Sequence, residues 1–130
     1  MFARGFQLRS VTVLTAIALS VPVAHAQEVT GSSGDAARGK TLYQACTSCH
    51  SIDENDIGPR HRGVVGRPAG SLPDYAYSPA LKASGLVWSA DNLDRWLTNP
   101  QALVPGTKMY FSLPDAQSRA DLIAYLARLR

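Results

Sequence analysis

The sequence predicts an all-α domain of about four or five short helices, on three observations. Ser, Asp and Asn residues repeatedly precede stretches with apolar side chains three and four positions apart, the pattern of capped helices with one buried face. Gly and Pro separate those stretches. No segment alternates apolar and polar residues for long enough to make a convincing strand, and no internal repeat is visible.

The first 26 of the 130 residues are expected to be an address. Residues 1–9 carry Arg4 and Arg9, residues 11–23 form an almost uncharged apolar run, and Ala24-His25-Ala26 places small residues around a cleavage point. That run is short for a bilayer span, so a cleaved secretory signal is expected, with an uncleaved anchor as the alternative. Residues 27–34 are small and polar and are expected to be a flexible N-terminus, followed by one domain over residues 35–130.

Within the domain, Asp35 can cap a first helix running to about Gln44, with Gly39 and Tyr43 on one face. Ser78-Pro79 reads as a cap with proline at the first helical position, and Gly85 closes that short helix. Ser89 caps a third, in which Leu93, Trp96 and Leu97 share a face. Asn99-Pro100 stops it and starts one more turn. Pro105-Gly106 makes a turn into Thr107-Lys108-Met109, expected to be an exposed loop. The last helix opens at Pro114-Asp115, carries the apolar stripe Leu122, Tyr125, Leu126 and Leu129, and ends in Arg128 and Arg130, which suit its C-terminal dipole.

Composition narrows the function. Without residues 1–26 the chain has 11 Lys+Arg against 10 Asp+Glu, so the formal charge of +3 falls to about +1. No basic block is present, which argues against nucleic acid as a partner. Nine glycines and seven prolines among about 104 residues leave much irregular backbone, hard to cover with a core from so short a chain. A large flat apolar cofactor at the centre removes that difficulty.

The stretch with the most chemistry is Cys46-Thr47-Ser48-Cys49-His50. Two thiols three positions apart, with an imidazole directly after the second, form the attachment signature of a covalent c-type haem. The spacing lets one turn of chain reach both vinyl groups on one porphyrin edge and places the next side chain under the iron. Cys-x-x-Cys also serves zinc and dithiol redox sites. Zinc asks for four ligands, whereas this chain has only two cysteines and three histidines, one of them in the leader. A dithiol site asks for a surrounding βαβ pattern, which is missing. For the second axial position the domain offers Met109 and His61. Met109 is the domain's sole methionine and sits on a loop, where plain core filling is less natural. His61 lies between two arginines beside a proline, and an exposed surface histidine is its ordinary account.

Together with the pentapeptide, Gly39, Tyr43, Gly58-Pro59, the Gly63–Arg67 stretch, Tyr75-Ala-Tyr77-Ser78, Gly85-Leu-Val-Trp88, Trp96-Leu97, Asn99-Pro100, Pro105-Gly-Thr-Lys-Met109 and the stretch from Arg119 to Leu126 resemble class I cytochromes c. The likeness runs from Asp35 to Leu129, in order, and is strongest to the mitochondrial protein and its soluble bacterial relatives. It implies short helices wrapped round one haem, with the first and last helices crossing. It implies thioethers at Cys46 and Cys49, with His50 and Met109 as iron ligands. The Pro59 carbonyl would accept a hydrogen bond from His50. Arg67, Tyr77 and Trp88 would hold the haem propionates, and Trp96 would pack on the distal face, with a core tryptophan as its alternative reading. Gly39 and Tyr43 would meet Leu122 and Tyr125 at the helix crossing. His61 and Leu81 depart from the mitochondrial pattern, which has an apolar residue and an asparagine there, and residues 110–115 look one residue shorter.

The function implied is a periplasmic one-electron carrier, not an enzyme, working in a respiratory or photosynthetic chain. Its expected partners are a quinol-oxidising complex as donor and an oxidase or reductase as acceptor. Docking would be brief, at the haem edge, by a monomer with no small-molecule substrate. With only Lys40, Lys82 and Lys108 in the domain, charge steering would be modest. Two alternatives stand beside it: a haem subunit of a larger periplasmic dehydrogenase, and a peroxidase-like haem protein in which His61 assists proton transfer.

Overall fold

The computed structural model describes residues 33–130, so the expected signal segment and most of the expected flexible N-terminus lie outside it. Five α-helices follow in order: α1 (Ala36–Leu42), α2 (Pro79–Lys82), α3 (Ala90–Thr98), α4 (Pro100–Leu103) and α5 (Ala116–Leu126). A 3-10 segment, Tyr43–Cys46, extends α1 into the pentapeptide. Among the described residues there is no strand, only one isolated antiparallel bridge between Pro68 and Val87. The all-α expectation therefore holds.

Caps set the helix starts where the sequence places them. Asp35 accepts from the amides of Ala37 and Arg38, Ser78 from Leu81, Ser89 from Asn92, Asn99 from Ala102 and Asp115 from Ser118. Each side chain satisfies an amide that lacks an intrahelical partner. The first helix differs from expectation at its end, because its last turn tightens to 3-10 geometry beyond Leu42. That tightening carries Cys46 towards the site.

Helices α1 and α5 pack against each other more extensively than any other pair. The sequence explains why they come so close. A Cβ on Gly39 would stand 2.0 Å from the carbonyl oxygen of Asp121 and 2.8 Å from Cβ of Tyr125. The expected contact with α5 is thus made against Asp121 backbone and Tyr125, and the rings of Tyr43 and Tyr125 lie 5.3 Å apart. Gly34, assigned from the sequence to the flexible N-terminus, also lies against α5, with its Cβ position 2.0 Å from the oxygen of Ala120.

The crossing is also tied by a polar clasp that hydrophobic patterning does not show. Asp121, only 2% exposed, accepts from the amide of Asp35 (2.6 Å), from Arg38 Nε (2.8 Å) and Nη2 (3.2 Å), and from Gln117 Nε2 (2.8 Å). Arg38 chiefly, then the Asp35 amide, hold its carboxyl well below the usual carboxylate range. A second clasp is Arg119, which donates to Asp94 (2.7 Å) and to the carbonyls of Leu113 and Pro114 (3.0 and 2.7 Å). It pins the segment leading into α5 against α3.

Candidate functional site

The helices enclose a cavity of about 270 Å³ whose lining is mostly apolar. All nine residues singled out from the sequence line it: Cys46, Cys49, His50, Pro59, Arg67, Tyr77, Trp88, Trp96 and Met109. They come from the 3-10 segment, the long loop of residues 47–78, the strap before α3, α3 itself and the loop after α4. Leu81, Leu93, Leu97 and Leu122 complete the apolar wall.

His50 is held from two sides. Its Nδ1 lies 2.7 Å from the carbonyl oxygen of Pro59. A carbonyl only accepts, so Nδ1 carries the proton and Nε2 keeps a free lone pair for a metal. Burial pushes the His50 pKa down, partly offset by the Pro59 contact, so the ring stays neutral as a ligand must. Gly58 makes room for it: a Cβ there would sit 2.2 Å from His50 Cε1.

The cysteines are free and half-buried. Burial, and then Cys49 nearby, push the Cys46 thiol up to about 11. A reactive dithiol needs the opposite shift, so these electrostatics disfavour the dithiol reading of the motif.

Met109 is half-buried, and Trp96 Nε1–H donates to its Sδ at 3.1 Å. Sequence reasoning placed Trp96 near this face but missed the bond. One neighbour of Met109, Thr107, also differs from the expected exposed loop. Thr107 is 3% exposed, and Lys108, itself exposed, donates from Nζ to the Ala76 carbonyl at 2.9 Å. The loop is short and tight, so its small polar residue turns inward while the lysine bridges to the segment carrying Tyr77.

Arg67 bears on whether the cavity suits an anionic cofactor. Its terminal nitrogens donate to the carbonyls of Arg62 (3.1 Å) and Arg60 (2.9 Å), whereas its buried Nε has no hydrogen-bond partner. A buried donor left unpaired costs about 1–3 kcal/mol, and an anionic group in the cavity would satisfy it. Trp88, 7% exposed, stands edge-on to Trp96 with ring centres 5.0 Å apart. A flat macrocycle with two carboxylates fits these residues: an apolar slot, an unpaired cationic donor, two thiols at one edge and two metal donors.

The expectation of a surface position for His61 is overturned. Its ring stacks on that of His50, with centres 4.1 Å apart and planes 21° from parallel. Its Nδ1 shares a 3.0 Å hydrogen bond with the Tyr43 hydroxyl. Burial first, then His50 and Arg67, push its pKa down to about 3. Flanking arginines suggested exposure, but Arg60 and Arg62 turn outward to Asp74 and Asp53, leaving the residue between them facing inward.

A family model described as cytochrome c matches residues 36–130. The chain belongs to the cytochrome c family. It is 45% identical over 100 residues to a cytochrome c2 of Rhodomicrobium vannielii, covering 74% of this chain and 80% of that one. Among solved structures it is similar to cytochrome cH from Methylobacterium extorquens, with a TM-score of 0.70 and 45% identity, covering 72% of this chain and 98% of that one. Ferricytochrome c2 from Rhodopseudomonas palustris gives a TM-score of 0.71 at 40% identity, covering 74% of this chain and 99% of that one. As a cytochrome c, the protein is an electron carrier and not an enzyme, and it carries haem c through the Cys46–His50 motif.

Proposed function

We propose that this cytochrome c is a periplasmic one-electron shuttle whose single haem is ligated by His50 and Met109. It would accept electrons from a quinol-oxidising complex and pass them to an oxidase or reductase. The carrying observation is that Met109 shares the cavity with His50, its sulfur fixed by Trp96. When bound, the haem iron supplies a one-electron ferric/ferrous couple, and thioether–imidazole ligation raises its potential above that of bis-histidine sites.

The chain's residues divide the remaining work. Cys46 and Cys49 anchor the ring edge, and Pro59 sets the tautomer and basicity of His50. Arg67, Tyr77 and Trp88 receive the propionates, which would be costly to bury unpaired. His50 and Met109 would together occupy the metal's open positions and leave none for a substrate, which supports carriage of electrons over peroxide chemistry. The surroundings of His61 support the same choice, since its ring is stacked on His50 and its Nδ1 is engaged by the Tyr43 hydroxyl.

Docking would be transient and largely apolar. Ile57, Tyr110 and Phe111 line the cavity mouth and are 71%, 79% and 40% exposed, while the adjacent Lys108 is tied to Ala76. Association with partners should therefore depend only moderately on salt. Among the described residues no helix is long and apolar enough to cross a membrane.

The test is to express the full chain with a haem-attachment system and weigh the exported product. The expected mass is residues 27–130 plus one haem, and the ferric protein should be low-spin with a methionine-to-iron charge-transfer band. A mature mass without the haem increment, or a high-spin or bis-histidine spectrum, would overturn the reading.

A further inference from the structure

The hydrogen-bonded pair Tyr43–His61 has no part in holding the ring by its edge, its iron or its carboxylates, yet it sits directly against the residue that would ligate the iron. Tyr43 is 3% exposed and belongs to the 3-10 segment that leads into the pentapeptide. Its ring is clamped by Tyr125 of α5 at 5.3 Å, and its hydroxyl meets His61 Nδ1 at 3.0 Å. The His61 backbone is fixed in turn, its amide donating to Ser51 (3.0 Å) and its carbonyl accepting from Val64 (2.9 Å). A phenylalanine and a leucine would fill the same space with no polar group to satisfy. The two polar groups instead satisfy each other next to His50.

We infer that His61, oriented by Tyr43, is a positioning residue that sets the ring plane of His50 and the polarity on its side of the haem. The inference rests on His50 being an iron ligand. The Pro59 bond fixes a line through His50 Nδ1, and the Gly58 backbone, whose Cβ position is 2.2 Å from Cε1, limits rocking of the ring about that line. The stacked His61 ring, 21° from parallel, adds a second limit across the ring face. An axial imidazole's plane selects which iron orbital holds the unpaired electron of the ferric form, and so sets the spread of the haem-methyl NMR shifts. Polarity acts separately. Ferric haem carries one more positive charge than ferrous, so a polar ring beside it favours the ferric form over what an aliphatic neighbour would allow.

The test uses holoprotein at pH 8, where an imidazole is neutral, as wild type, His61→Leu, His61→Phe and Tyr43→Phe. His61→Leu should alter the haem-methyl shift pattern and move the ferric-to-ferrous ratio, at a fixed electrode potential, threefold to tenfold towards ferrous. Tenfold corresponds to 59 mV for one electron. His61→Phe keeps the stack without the polarity, so it should preserve the methyl pattern while raising the potential. Tyr43→Phe should shift both readouts in the direction of His61→Leu by less, and it serves if His61→Leu fails to load haem. Variants with an intact His/Met spectrum and with wild-type methyl shifts and ratios would overturn the inference alone. A wild-type spectrum without His/Met ligation would overturn the proposed function, and this inference with it.

Discussion

Gly39→Ala puts the architecture to its most direct test. An alanine in the middle of a helix is ordinarily an improvement of about 1 kcal/mol over glycine. Here the added Cβ would lie 2.0 Å from the Asp121 carbonyl oxygen, 2.6 Å from its carbon and 2.8 Å from Tyr125 Cβ. A carbon–oxygen contact settles at about 3.3 Å or more, so α5 would have to recede by roughly 1.3 Å. The obstacle is backbone and cannot rotate away, which places the cost at the top of the range of about 1–3 kcal/mol for overpacking. Subtracting the propensity gain leaves a loss of about 2 kcal/mol. Guanidinium unfolding of the ferric holoprotein, followed at 222 nm, should show a midpoint lower by roughly 0.5–1 M with an unchanged slope. Gly63→Ala is the informative companion, since a Cβ there meets nothing within 4 Å but φ is +67°. Its cost is backbone strain of about 1–2 kcal/mol, reached with no effect on the α1–α5 contact. A Gly39→Ala midpoint at or above that of the wild type would refute the crossing as described.

Other perturbations address the site and the polar clasp. Gly58→Ala places a Cβ 2.2 Å from His50 Cε1, so the ferric spectrum should lose its low-spin character; a spectrum like that of the wild type would mean His50 is not held there. Trp96→Phe removes the N–H donated to Met109 Sδ, leaving the sulfur a better donor to ferric iron, and should lower the midpoint potential in voltammetry. Asp121 is depressed in the folded state by Arg38 and the Asp35 amide, so its contribution to stability is full above the unfolded carboxylate value of about 3.9 and is lost as pH falls towards its folded value. Asp121→Asn should therefore destabilise the protein at pH 7 and flatten the fall in unfolding midpoint below pH 4, and an unaltered acid slope would contradict the clasp.

What was legible in the sequence follows from how each feature is written there. Caps are local chemistry, so Asp35, Ser78 and Ser89 could be read directly as caps, and Asn99 and Asp115, read as helix boundaries, cap as well. The attachment pentapeptide was legible because covalent bonding fixes its spacing, the other site residues came from the resemblance to class I cytochromes c, and all nine line one cavity. Buried polar pairs were not. Asp121 and Arg119 look like ordinary charges on an amphipathic helix, and their partners lie 83 and 25 positions away. His61 failed for the same reason, since its neighbours Arg60 and Arg62 are surface residues and its partner Tyr43 looks like simple core.

The expected and the missed contacts around α1 lie on one path. The Gly39 approach and the Asp121 clasp fix how α5 lies on α1, and that crossing presses Tyr125 on Tyr43. Tyr43 orients His61, and His61 lies flat on His50. The apolar pattern alone would have given a haem pocket of the right size with a loosely held proximal ring. On the proposed ligation by His50, the polar contacts would convert helix docking into a fixed ligand plane, and geometry that changes little between oxidation states would keep the reorganisation on transfer small. A variant that loosens the crossing should therefore act at a distance. In Gly39→Ala the haem-methyl shifts should move in the direction of Tyr43→Phe while the Met109 charge-transfer band stays in place. Loss of stability without any change in those shifts would show that the crossing and the ligand are mechanically separate.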